Sequence, residues 1–343
     1  MKKIRILMIV IALLVMPVSA ADLTAPEISN EYMPADVEDF SDGLWFVIKS
    51  AINDVAPNVR DAGGVCLSII AISMLTSMLT TTFSSGKQIV TFVGVLGIST
   101  ILFTTSQTFI SLGVDTVQEL SQYGKLLLPV MTAAMAATGG TTTSTALYTG
   151  TTIFNTVLMS VLTKLVVPLI YIYLCVSIAR CILPENILDN VKKFAKWLIQ
   201  WCLKLSIYIF TGYLSITGVI SGHVDAATLK ATKIAISGFV PVVGGVISDA
   251  SETILVSAGL LKSAAGIYGG LAILALWIGP FLQIGIQYLM LKMTGAICCA
   301  FNCKEIADIV NDFTTALGFV LGMTVTICVL LLVSTVCFMK GVS

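Results

Sequence analysis

The sequence predicts an all-α fold, a polytopic bundle of transmembrane helices, and three observations carry that prediction. Only 11% of the 343 residues are charged and 57% are hydrophobic, with a mean hydropathy of +0.97. A soluble domain carries roughly 25% charged residues, so this chain has too few charges to solvate its surface. Five stretches, 62–86, 88–114, 126–163, 263–291 and 313–339, hold no charged side chain. Each exceeds the ~20 residues that cross a bilayer as a helix. The third observation is a self-similarity at a shift of 112 residues, described below.

The N-terminus reads as an export signal (1–20). Lys2, Lys3 and Arg5 precede the apolar core Ile6–Met16, and Val18-Ser19-Ala20 supplies the small residues of a cleavage site. Its 11 apolar residues are too few to span ~30 Å of hydrocarbon. The following segment, 21–62, is extracytoplasmic on this reading and strongly acidic, with nine acids and two bases between 22 and 61. A two-span hairpin (63–112) comes next. Lys87 in its loop falls inside and Asp115 and Glu119 outside, by the positive-inside rule.

Residues 126–163 divide differently. LLLPVMTAAMAA, led by Pro129, is too short to span, and GGTTTSTALYTGTT begins at Gly139 and Gly140 with many small hydroxyl residues. Two half-length segments meeting at a polar tip account for both, because irregular backbone at membrane depth must be buried in protein or line water. The runs 165–183 and 205–222 supply further spans. Between them, PENILDNVKKFAKWLIQWCLK places Ile187, Leu188, Val191, Phe194, Ala195 and Leu198 on one helical face, with Lys192, Lys193, Lys196 and Lys204 marking the cytoplasmic side. That pattern suits an amphipathic helix on the lipid surface, and a partner-binding helix would look the same.

The repeat is read from prolines. Pro129 and Pro168 are 39 residues apart, as are Pro241 and Pro280, and a shift of 112 superimposes both pairs. The same shift brings Arg180 onto Lys292 and Lys192 onto Lys304. Two parallel pseudo-repeats, 113–224 and 225–340, would each contain a broken or re-entrant hairpin, as in transporters with parallel repeats.

The second hairpin lies in ISGFVPVVGGVISDASETILVSAGLLK (236–262), where Pro241 and Gly244 precede Asp249 and Glu252. The two acids are three residues apart and share a helical face. Ionisable groups inside a membrane are usually paired, or next to water. A solvated cytoplasmic turn would carry the same residues. Pro241, Gly244, Asp249, Glu252, Pro129, Gly139 and Gly140 are therefore the candidate functional residues, shaping hairpins that line or pack against a passage.

Enzyme, cofactor and metal readings find no support. His223 is the single histidine and has no nucleophile beside it, and no GxSxG, HExxH or GxxxxGK[ST] pattern occurs. The cluster CCAFNC (298–303) lacks a fourth ligand, and the other cysteines sit mostly in apolar runs as small hydrophobes. Outside the lysines at 190–204 no basic patch with aromatics exists, so nucleic acid is not implied.

The stretch LKATKIAISGFVPVVGGVISDASETILVSAGLLKSAAGIYG (229–269) resembles the stage III sporulation protein AE family. The likeness rests on Lys230 and Lys233, the Phe239-x-Pro241-Val242-x-Gly244 turn, Asp249-Ala250, Thr253 and Leu260-Leu261-Lys262. It extends more weakly over most of the chain, departing in the short acidic N-terminal segment and the cysteine-rich C-terminal third. The resemblance implies a non-enzymatic component of a sporulation channel complex in the mother-cell membrane around the forespore. It implies partners that include a cytoplasmic ATPase and ring-forming membrane proteins, beside membrane lipid, with self-association left open. The rival reading is an autonomous secondary transporter for a small solute, supported by the repeat and the intramembrane acid. Genes for an ATPase and ring-forming proteins beside this one would favour the complex. The side of the C-terminus stays open, with Lys340 arguing against the outside.

Overall fold

The computed structural model describes residues 40–53, 55–82, 86–138, 141–182, 186–239, 244–301 and 303–340, and gives no side-chain description for 215–263. Among these residues the regular structure is helical: α1 Phe40–Asn53, α2 Val55–Thr82, α3 Lys87–Ala137, α4 Thr141–Val161, a π-helical turn Leu162–Val166, α5 Val167–Ile182, α6 Asn186–Phe239, α7 Gly244–Ala300 and α8 Lys304–Lys340. Five stretches are long and apolar enough to cross a membrane: Pro57–Thr82, Gln88–Ala137, Thr141–Arg180, Ala264–Ala300 and Lys304–Met339. The all-helical, multi-pass architecture is the one the composition predicts.

Helix α8 is the centre of the bundle and the most deeply buried of the five. Ala307, Val310, Phe313, Phe319, Val320, Met323, Thr326 and Leu330 are buried around most of its circumference. A helix apolar all round belongs inside a bundle. Neighbours approach it through small residues, which set the registers. A side chain at Gly113 of α3 would run into Val320, and one at Gly124 would come within 2.7 Å of Leu331. Equal steps along both helices make α3 and α8 parallel. Helix α7 runs back antiparallel, with Gly295 against Asn311 and Gly318 against Tyr288. Helix α6 runs parallel to α8, with Leu203 against Gly322. Helices α2 and α7 are tied near one end by Ser77 Oγ donating to the Phe301 carbonyl (3.0 Å) and Cys303 Sγ to that of Ser73 (3.5 Å).

The segment 141–182 stays helical through Pro168 because the turn before it is widened. Proline lacks the N–H that would bond four residues back and collides with the carbonyl there. A π-turn at Leu162–Val166 removes that conflict.

Three features differ from the sequence expectation. The hairpin at 126–160 does form, with α3 and α4 antiparallel and a break after Thr138, but its arms are the ends of long helices rather than half-length segments. Helix α3 has 51 residues, about 75 Å at 1.5 Å per residue. In the second half, α6 ends at Phe239 and α7 starts at Gly244. The helix therefore continues without interruption through Asp249 and Glu252, where a hairpin tip was expected. Helix boundaries do not follow the shift of 112 either. Ala137 and Thr141 flank a break, whereas Asp249 and Thr253 lie within α7. Finally, the amphipathic stretch 186–204 is no separate surface helix but the first turns of α6, packed along α8.

Candidate functional site

The sequence-predicted residues are placed as follows. Pro129 lies inside α3 and is exposed. Gly244 opens α7, and Asp249 and Glu252 lie on its first three turns, with their side chains outside the described residues. Pro241, Gly139 and Gly140 also lie outside them. The two candidate hairpins are not brought together by any described contact.

The structure instead assembles a charged centre that sequence reasoning missed. Lys192 on α6 donates to both carboxylate oxygens of Asp312 on α8, at 3.0 and 2.9 Å. Each side chain is only 13% exposed. From α5, the Tyr173 hydroxyl donates to Asp312 Oδ1 at 3.1 Å, and the Tyr173 ring meets Phe319 edge-on at 5.5 Å. One carboxylate thus accepts from an ammonium and a phenol on two other helices, pinning α5 and α6 to the central helix. A charge withdrawn from water survives only when paired and hydrogen-bonded in this way. Lys192 stood in the sequence among four lysines read as surface charges, and Asp312 as the edge of an apolar run. The available signal was that each sits one residue or one turn from residues that must face inward.

A second, wetter cluster closes the α5–α6 connection. Arg180 Nε meets Asp189 Oδ1 at 3.1 Å and Lys193 Nζ meets Asp189 Oδ2 at 2.9 Å. The Lys193 hydrogen bond, helped by Arg180, holds the Asp189 carboxyl below its usual range. A carboxylate depressed on folding adds stability at pH above its unfolded value, ~4, and loses it as pH falls through the folded value. Unfolding temperature in detergent should therefore fall more steeply with acidification below pH ~4 in the native chain than in Asp189→Asn. Equal slopes would show that the cluster contributes nothing.

Outward from this region, Phe194, Trp197 and Trp201 form an exposed ladder with ring centroids 5.9 and 6.1 Å apart. Aromatic rings between lysines are a composition common at the headgroup layer of a membrane.

The first hairpin carries a polar seam. The buried face of α4 includes Ser144, Thr151 and Asn155. Asn155 Nδ2 donates to the Ser121 carbonyl on α3 (3.4 Å), while Ser121 Oγ, Thr151 Oγ1 and Asn155 Oδ1 have no protein partner. Such groups are tolerated in a core where water or another polar group can reach them. At the tip, Thr141, Thr142, Thr145, Thr149 and Tyr213 line an open hydroxyl-rich depression. The Tyr213 hydroxyl donates to the Ala146 carbonyl at 2.7 Å, across Gly150. Among the described residues no group of three or more His, Cys, Asp or Glu side chains could hold a metal ion.

Comparison with known proteins adds what geometry does not. A family model described as stage III sporulation protein AE matches residues 30–341. A Bacillus subtilis (strain 168) protein described as stage III sporulation protein AE is 22% identical over 188 residues, 55% of this chain and 47% of the relative. The chain spans about half the length of that curated relative. No solved structure matches.

Proposed function

The chain belongs to the stage III sporulation protein AE family, and on that premise we propose that it is an integral component of a channel-like complex joining mother cell and forespore. The observation that carries this reading is the family match over residues 30–341, which includes every described helix. The bundle supplies a frame for such a role rather than a reaction centre. Its buried charge pair ties three helices together, its hairpin seam is polar, and its lysine–aromatic row suits the cytoplasmic membrane surface. In this reading the protein sits in the mother-cell membrane around the forespore, with 21–62 outside the cytoplasm after signal cleavage. Its partners are a cytoplasmic ATPase and ring-forming membrane proteins. The division into a two-span hairpin, 63–112, and two membrane units, 113–224 and 225–340, belongs to the same proposal. Pro241, Gly244, Asp249 and Glu252 then shape the α6–α7 connection, and Pro129, Gly139 and Gly140 the α3–α4 tip.

Disruption of the gene in its own sporulating host should abolish heat-resistant spores after engulfment, and a tagged copy should recover an ATPase and ring proteins from sporulating membranes. An Asp249→Asn copy is expected to accumulate normally yet support sporulation poorly. Normal spore counts in the disrupted strain would end the proposal.

A second reading, an autonomous transporter for a small solute, draws on the Lys192–Asp312–Tyr173 centre, since paired ionisable groups inside a membrane bundle often mark substrate or proton routes. It requires that the purified chain alone move a solute across vesicle membranes.

A further inference from the structure

Large apolar side chains stand exposed along the first half of α6. Ile187, Phe194, Trp201 and Tyr208 follow at steps of seven, with Val191 and Trp197 between them, so they share one broad stripe. Beside it runs a second exposed stripe, Lys193, Lys196, Gln200 and Lys204, at steps of three and four. Lys193 is held by Asp189, while Lys196 and Lys204 meet no acid among the described residues. The packed face of the helix is the opposite one, where Ala195, Ile199, Cys202 and Phe210 are buried.

The direction of α6 decides what can cover these stripes. Lys192 meets Asp312, Leu203 lies against Gly322, and Phe210 lines one small cavity with Thr326 and Leu330. Partners advance by nearly equal steps on both helices, so the stripes run lengthwise beside a helix long and apolar enough to cross the membrane. From Ile187 to Tyr208 the apolar stripe is about 32 Å long at 1.5 Å per residue, and Lys193 to Lys204 covers about 16 Å. A headgroup layer is roughly 5–8 Å deep on each side of the bilayer, so it takes in one rung of this surface and not the whole. Hydrocarbon suits the rings and penalises the lysines beside them. Water suits the lysines and leaves the rings uncovered. Setting Trp197 and Trp201 at an interface, with the start of α6 in the cytoplasm, leaves Ile187 and Val191 in water and Lys204 in hydrocarbon. A surface that is itself part apolar and part acidic suits every one of these side chains.

We propose that this face of α6 docks an amphipathic helix of another protein of the membrane complex, whose apolar stripe covers Ile187, Phe194 and Trp201 and whose acidic side chains pair with Lys196 and Lys204. A seven-residue spacing is the one a second helix reads, because side chains so spaced fit the gaps of a neighbour lying alongside. Exposed aromatic rings flanked by basic residues are the anchors that protein interfaces favour. The rings of Phe194, Trp197 and Trp201 are already stacked, at 5.9 and 6.1 Å, so little side-chain freedom is lost on docking. The lysine stripe accepts an acidic flank and repels a basic one, which sets the choice of partner. This docking rests on the reading of the protein as one component of a membrane complex, but its test does not use sporulation as the readout.

A photoreactive benzoylphenylalanine replaces Trp197 in the full-length chain, and sporulating membranes are illuminated. One discrete protein adduct is expected. Mass spectrometry of its crosslinked peptide should find apolar residues at three- and four-residue steps with Asp or Glu beside them. Adding Lys196→Glu with Lys204→Glu should cut the adduct roughly tenfold or more, because like charges set against each other across an interface cost at least that much affinity. Lys196→Arg with Lys204→Arg should leave it unchanged. Yields are taken per amount of chain, so a change in abundance does not enter. No adduct, adducts with lipid alone, with a second copy of this chain or with a peptide lacking acids would each overturn the proposal, as would a yield untouched by the charge reversal. Lipid adducts in a host whose gene disruption abolishes spores would remove this docking face while leaving the family-based reading in place.

Discussion

Asp312→Ala should be the most damaging single substitution in the described part of the molecule, lowering stability by about 3–5 kcal/mol. It strands the Lys192 ammonium, only 13% exposed, without its carboxylate, and removing one partner of a buried pair costs about that much. The Tyr173 hydroxyl loses its acceptor as well. Lys192→Met should cost a similar amount, since it leaves the Asp312 carboxylate with only a phenol. The double variant Lys192→Met/Asp312→Leu is expected to regain most of the loss, because apolar residues of similar volume commonly replace a buried ion pair without penalty. Thermal unfolding of the detergent-purified chain and its abundance in membranes give the measure. A double variant as unstable as either single one would show that the site needs its charges for more than mutual compensation. A stable double variant that fails to sporulate would assign the pair a role beyond holding the helices.

The second large effect is expected at the contact of α3 with α8. Gly113→Val and Gly124→Val each push a branched side chain into a place already filled by Val320 or Leu331, and overpacking of this kind costs about 1–3 kcal/mol per site. The sites are 11 residues apart, about 16 Å along the helix, so their effects should nearly add. Gly97→Val is the control. It lies on the same helix, exposed, with nothing within 4 Å of a would-be Cβ, and should change stability little. If all three behave alike, helix propensity rather than interhelical contact governs α3.

Much of the fold was legible because it depends on local composition. Charge-free runs marked the helices, and the change from LLLPVMTAAMAA to GGTTT placed a break where α3 gives way to α4. Other features depend on partners that are far away in sequence. Lys192 and Asp312 are 120 residues apart, and neither periodicity nor hydropathy distinguishes an inward lysine from three neighbours that face out. Asp115 and Glu119 read as the outer end of a span because hydropathy treats charge as a boundary. Helical backbone does not, and the Gln, Glu and Leu residues around them favour continuation. The π-turn before Pro168 was hidden for a related reason, since proline signals a break and only the packing of Leu162 and Val166 into the core requires the helix to go on. For Asp249 and Glu252 the helix is now placed, while the candidate roles of Pro241, Gly139 and Gly140 still rest on the sequence pattern.

The central position of α8 bears on how the protein is made. Of the described helices it leaves the ribosome last, yet α3, α4, α5, α6 and α7 all pack against it. Until then the small-residue faces around Gly113, Gly124 and Gly295 have nothing to close on, and Lys192 waits without its carboxylate. The earlier helices can pair among themselves, as α3 does with α4 and α4 with α6, but the contacts with α8 form only when Lys304–Lys340 enters. Consolidation of the described bundle therefore waits on α8, and with it the closing of the buried charge pair.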